Sequence, residues 1–118
     1  MKDCIFCKIV AGEIPARKIY EDEEFLAFHD INPIAAVHFL IIPKRHVASL
    51  ADFTSADEGL LGRLMLLVPR LAAEQGLHEG FKTLFNTGKG GGQVVFHTHV
   101  HVIGGKGMPT GAQPLSTH

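Results

Sequence analysis

No stretch of this sequence is apolar for long enough to cross a bilayer. Runs such as 39–42 and 64–68 fall far short of the roughly 18 residues a span requires. An excess of charge of either sign is also missing, since 11 Lys and Arg oppose 12 Asp and Glu and leave a net charge of −1 with histidine neutral. That balance excludes the basic footprint of a protein held to nucleic-acid phosphates, and 19% charged residues with 46% hydrophobic ones exclude a disordered chain. Two cysteines are too few for a disulfide framework. Residues 1–8 lack an apolar segment followed by a small-residue cleavage site, so the expected setting is cytoplasmic and thiol-reducing. Neither repeats nor low-complexity tracts occur. At 118 residues, folding should bury roughly 65% of the unfolded chain's surface, enough for one core, and 1–118 reads as a single domain. The unusual count is histidine, eight in all, three of them at His97, His99 and His101.

Punctuation by capping and turn residues gives the order of elements. Asp3 is a candidate N-cap for a short helix over 4–11, with Gly12 as its stop. Strands are expected over 18–20 and 24–29 around the acidic turn 21–23, with Asn32-Pro33 closing the second, and a strongly apolar third strand over 37–43. The sequence Ser55-Ala56-Asp57-Glu58 has the form of a capping box, and Leu60, Leu61, Leu64, Leu67, Val68 and Leu71 then recur at helical spacing up to Gln75. Pro69 inside that helix removes a backbone donor and predicts a kink or local break. Strands over 81–86 and 93–103, joined by the glycine-rich loop 87–92, precede an irregular tail over 104–118. The whole is α+β, an antiparallel sheet of about five strands with one long and one short helix.

The period of two in a strand over 93–103 puts Val95, His97, His99, His101 and Ile103 on one face and Val94, Phe96, Thr98, Val100 and Val102 on the other. The second face reads as core. The first carries three imidazoles about 6.6 Å apart per step, so the outer two stand about 13 Å apart and one ion does not readily take all three. Each histidine forfeits packing in a segment otherwise built of Val, Ile and Phe, which points to chemistry: acid–base catalysis, metal ligation or nucleophilic attack. Just upstream, the glycines at 88 and 90–92 allow backbone amides to converge on an anion. The loop is neither a Walker A motif, because Gly follows Lys89, nor G-x-G-x-x-G, because the sixth position is Gln93.

Residues 91–102, Gly-Gly-Gln-Val-Val-Phe-His-Thr-His-Val-His-Val, resemble the signature of the histidine triad nucleotide-binding family. The resemblance extends to Cys4-Ile5-Phe6-Cys7-Lys8-Ile9, Glu13-Ile14-Pro15-Ala16, Phe28-His29-Asp30-Ile31-Asn32-Pro33, the segment 38–46, and Asn86. The Gly104-Gly105 ending and short tail resemble the Hint-like branch, whose members hydrolyse purine nucleoside phosphoramidates. The resemblance implies a HIT-like homodimer that binds a purine nucleotide, with no membrane or nucleic-acid partner and no cofactor required for its chemistry. It implies that His99 attacks the α-phosphorus to give a nucleotidyl-histidine, with His101 and His38 on the phosphate oxygens. Asn86 and the amides of Gly92 and Gln93 complete the phosphate cradle. Asp30 holds the ribose, and Ile5, Phe6, Ile9, Phe28, His29 and Ile31 wall the base. Where many Hint-like members have a serine or an acidic residue near the leaving group, this chain has Val94. Two other readings remain open: a nucleotide-binding regulatory module with little turnover, and a metal-dependent enzyme chelating through His97-x-His99.

Cys4 and Cys7 form a C-x-x-C pair, which supplies two of the four ligands a structural zinc takes. Some members of the family, and the related uridylyltransferases, bind zinc through such a pair, a histidine after the third strand and the first triad histidine. By resemblance those are His46 and His97 here. The alternative is a pair of small buried thiols packing the first helix.

Overall fold

The computed structural model describes residues 3–107. Helix α1 (Ile5–Val10) leads into strands β1 (Lys18–Glu21), β2 (Phe25–His29) and β3 (Val37–Pro43). Helix α2 (Glu58–Glu74) and strands β4 (Lys82–Leu84) and β5 (Val100–Gly104) follow. The five strands form one antiparallel sheet in the order β1-β2-β3-β5-β4. Alternation then sorts the side chains between two layers. Phe25, Ala27, Phe39, Ile41, Val100 and Val102 pack with Leu64, Leu67, Val68 and Leu71 of α2. Leu26, Phe28, Leu40 and Ile42 pack on the other side with Phe6 and Ile9 of α1. Because His38 and His101 alternate with residues of the α2 face, they belong to the α1 face.

Several sequence expectations change at their ends. The N-cap of α1 is Cys4, not Asp3: its extended backbone lets Sγ accept from the Cys7 amide at 3.3 Å. The capping box lies one residue earlier than expected. Thr54 and Asp57 close a 3₁₀ turn, Ser55–Asp57, ahead of α2, with Asp57 Oδ2 accepting from the Thr54 amide at 2.9 Å. Helix α2 runs through Pro69 without a break, since this proline lies on the exposed side, where water can serve the carbonyl left without its N–H partner.

The largest correction concerns the histidine segment. Only Val100–Gly104 is strand, and Val94 and Phe96, expected in the core, are 70% and 47% exposed. The ladder with β3 stops at the Ile41–Val100 pair, and two positions further along the register Thr98 would face Pro43, which has no N–H to donate. Side-chain anchors replace the ladder. Thr98 donates from both N and Oγ1 to the Val47 carbonyl, each at 2.8 Å. Residue 104 closes β5, so the irregular tail begins after it, and residues 108–118 lie outside the described part. Among the described residues, no helix is long and apolar enough to cross a membrane.

Candidate active site and metal centre

Two clusters of ligating side chains lie on the α1 face, and the triad segment joins them. In the first, Asp30, His38 and His101 are all buried, with their donor atoms within 4.8 Å of one another. Asp30 Oδ1 accepts from the Asn32 amide at 2.8 Å, and Oδ2 stands 3.2 Å from His38 Nε2. The Ile34 amide donates to His38 Nδ1 at 3.2 Å, so the hydrogen of the neutral His38 ring sits on Nε2, 2.9 Å from His101 Nδ1. Taking that shorter contact, His101 accepts at Nδ1 and carries its own hydrogen on Nε2. The pair is thus set by a backbone amide to present an imidazole donor.

His99 is fixed in the opposite sense. Its Nδ1 lies 2.7 Å from the main-chain carbonyl of His97, which only accepts, so Nδ1 carries the hydrogen and the lone pair resides on Nε2. The His99 ring stands 5.0 Å from that of His101 and meets the Phe6 ring edge-on at 5.1 Å. One buried imidazole with its lone pair on Nε2, beside one that donates from Nε2, is the arrangement that nucleophilic attack on an anionic centre requires.

The second cluster holds Cys4, Cys7, His46 and His97, again within 4.8 Å. Cys4 Sγ and Cys7 Sγ lie 3.3 and 3.5 Å from His97 Nδ1, Cys7 Sγ lies 3.3 Å from His46 Nδ1, and the two Nδ1 atoms are 3.2 Å apart. A tetrahedral zinc with ordinary bond lengths has N···N edges of about 3.3 Å and S···N edges of about 3.6 Å, so the donor set fits that ion. His97 donates from Nε2 to the Pro43 carbonyl at 2.7 Å, which turns the Nδ1 lone pair toward the cluster, as in a metal-ligating histidine whose other ring nitrogen is held by a carbonyl. Burial holds the His97 ring below its ordinary pKa, and the neighbouring His46 and His99 add to that. Burial, and then the adjacent Cys4, push the Cys7 thiol up to about 11.

The remaining expected residues divide between wall and rim. Phe6, Ile9 and Phe28 are buried in the α1-side core, whereas Ile5 is half exposed and Ile31 is 88% exposed. Burial, then Arg17, lowers the pKa of the half-buried His29. In the glycine loop, positive φ at Gly88 and Gly92 closes a 3₁₀ turn, Lys89–Gly91. Within that turn the Gly92 and Gln93 amides already donate to the Lys89 and Gly88 carbonyls, at 3.1 and 3.0 Å. The buried Gln93 side chain braces the loop, accepting from the Gly88 amide at 2.8 Å and donating to the Ala48 carbonyl at 2.7 Å. Asn86 lies half-buried at the entrance to this loop. The sequence reading missed the brace formed by Gln93, the Thr98 anchor and the carbonyls of Pro43 and Val47. A polar residue at an expected core position, Thr98, was the available signal.

Comparison with known proteins gives a consistent result. The sequence profile of the HIT domain matches residues 11–108. Protein HitA of Neisseria gonorrhoeae is 58% identical over 104 residues, 88% of this chain and 97% of that protein. The crystal structure of a HIT family hydrolase from Legionella pneumophila superimposes with a TM-score of 0.86 at 46% identity, covering 88% of this chain and 94% of that one. A zinc-bound histidine triad family protein from Mycobacterium smegmatis has a TM-score of 0.74 at 42% identity, covering 86% and 74%.

Proposed function

The chain belongs to the HIT domain family, and from that premise we propose that it is a nucleotide hydrolase of the Hint-like kind, cleaving purine nucleoside phosphoramidates through a nucleotidyl-histidine. The observation that carries the reading is the 2.7 Å contact from His99 Nδ1 to the His97 carbonyl, which leaves the Nε2 lone pair as nucleophile. In the first step Nε2 attacks the α-phosphorus and the P–N bond breaks. The amine leaves with that electron pair and takes a proton from solvent, which the water of the second step gives back. In the second step water attacks the same phosphorus, the N–P bond to His99 breaks, and nucleoside monophosphate and the neutral imidazole are regenerated. His101, with His38 behind it, donates to the phosphate oxygens as their charge grows, a contribution made mainly in the transition state. Asn86 adds a donor, and the loop braced by Gln93, with Gly92, lines the phosphate side.

Ile5, Phe6, Ile9, Phe28, His29 and Ile31 wall the purine, and Asp30 serves the ribose. The resemblance of the Gly104-Gly105 ending to the Hint-like branch supports the choice of a P–N substrate. Zinc suits the donor set of Cys4, Cys7, His46 and His97, as a structural ion outside the chemical steps. It would tie α1 to the triad segment. A homodimer would cover the exposed Met65 and Leu66 of α2, and the reduced cysteines suit a cytoplasmic setting. Incubation with an adenosine phosphoramidate labelled at phosphorus, followed by rapid quenching, tests the reading. The expected result is a labelled adduct that maps to His99 and is absent from His99→Ala. Turnover without an adduct favours direct attack by water, and nucleotide binding without turnover favours a regulatory module.

A further inference from the structure

The peptide unit between His97 and Thr98 is held at both ends by residues attached to the cysteine–histidine cluster. Its carbonyl contacts His99 Nδ1 at 2.7 Å, and its N–H donates to the Val47 carbonyl at 2.8 Å. Val47 follows the ligand candidate His46, and the carbonyl belongs to the ligand candidate His97. No ladder orients this peptide, because β5 begins only at Val100. A third link comes from α1, where Phe6, between Cys4 and Cys7, packs edge-on against the His99 ring.

We propose that a metal ion held by Cys4, Cys7, His46 and His97 sets the tautomer and orientation of His99 through the 97–98 peptide, making His46 and His97 positioning residues for the nucleophile. This rests on His99 being that nucleophile. Drawing His46 and His97 onto one ion fixes Val47 relative to His97, and with it the tilt of the peptide plane between them. With the ion removed, two neutral imidazoles meet at 3.2 Å between Nδ1 atoms. At that distance they share one hydrogen bond, His46 donating from Nδ1 to the His97 lone pair, but this single contact replaces an ion that held four ligands, so the peptide tilts more freely and its carbonyl leaves His99 part of the time. Displacements of this kind lower the chemical rate much more than they weaken substrate binding.

The test uses full-length protein with 15N-labelled histidine, either zinc-loaded or stripped by a chelator, together with His46→Ala and His46→Cys. Long-range proton–nitrogen correlation spectra identify the His99 tautomer without any turnover. The zinc-loaded protein should show His99 with its hydrogen on Nδ1. The stripped protein and His46→Ala should show a mixture, with kcat lower by roughly tenfold to a hundredfold and KM within about twofold. Added Zn²⁺ should restore the stripped protein, and the thiolate of His46→Cys should preserve both readouts. A His99 tautomer unaltered by stripping overturns the proposal, as does a loss confined to KM. Should neither form turn over phosphoramidates, the proposed reaction fails while the tautomer comparison still decides the positioning role. If His46→Ala does not fold, stripped and reloaded wild type decides it.

Discussion

Nε2 of His38 and Nδ1 of His101 face each other at 2.9 Å across β3 and β5, both rings buried. The Ile34 amide on the far side of His38 sets the polarity of the pair, so His101 keeps its hydrogen on Nε2 only while His38 is in place. Residues that act as one unit have strongly non-additive effects. We therefore expect His38→Ala to lower kcat nearly as much as His101→Ala, with the double variant within about threefold of the worse single one. Multiplying losses in steady-state kinetics would separate the two residues.

His99 offers the cleanest division between binding and chemistry. His99→Gly should abolish turnover yet keep purine nucleotide affinity within about tenfold, because a nucleophile contributes chiefly to the transition state. Calorimetric titration with nucleoside monophosphate measures the first quantity and single-turnover assays the second. Residual turnover above a few per cent of wild type would contradict covalent catalysis.

The sequence disclosed the site more fully than the backbone that carries it. Cys4, Cys7, His46 and His97 were assembled by resemblance from three distant segments, and the fold brings all four together. Apolar periodicity located α2, and β3 matched to the residue. The period of two failed at 93–99 because alternation describes only a ladder, and Pro43 ends this one. What replaces the ladder is non-local: Gln93 reaches Ala48, and Thr98 reaches Val47. Pairings 45 and 51 residues apart leave no local pattern.

Asp30 is enclosed, with Oδ1 on the Asn32 amide and Oδ2 near His38, so a ribose hydroxyl must compete for it. A carboxylate acceptor serving the ribose is worth about 1.5–3 kcal/mol. Asp30→Ala should lose that much nucleotide affinity, and the penalty wild type shows for a 2′-deoxynucleotide should vanish in the variant. Equal penalties in both proteins would leave Asp30 with His38 alone.

Asp57 links the turn before α2 to pH. The Thr54 amide, then Arg45, hold its carboxyl below the usual carboxylate range. The folded state then binds fewer protons than the unfolded one near pH 4, so the stabilisation is present above the unfolded pKa of about 3.9 and is lost as pH falls through the folded value. Thermal melts from pH 5 to 2.5 should fall less steeply for Asp57→Asn than for wild type. Parallel curves would remove Asp57 from the acid transition.

Zinc content tests the second cluster directly. Protein purified without added metal should carry about one zinc per chain in a closed four-ligand site. Chelation should lower Tm, since an ion bound only by the folded state stabilises it by mass action. The metal-free Cys7 thiol, raised to about 11, is protonated at pH 7, so zinc must displace its proton. Titrating stripped protein with Zn²⁺ at pH 7 should therefore release protons, visible as an enthalpy that depends on the buffer's ionisation heat, and apparent affinity should rise with pH. Cys7→Ser removes one thiolate and should lower zinc content, proton release and Tm together. Zinc well below one per chain, with the same Tm in chelator, would return Cys4 and Cys7 to the role of thiols that pack the first helix.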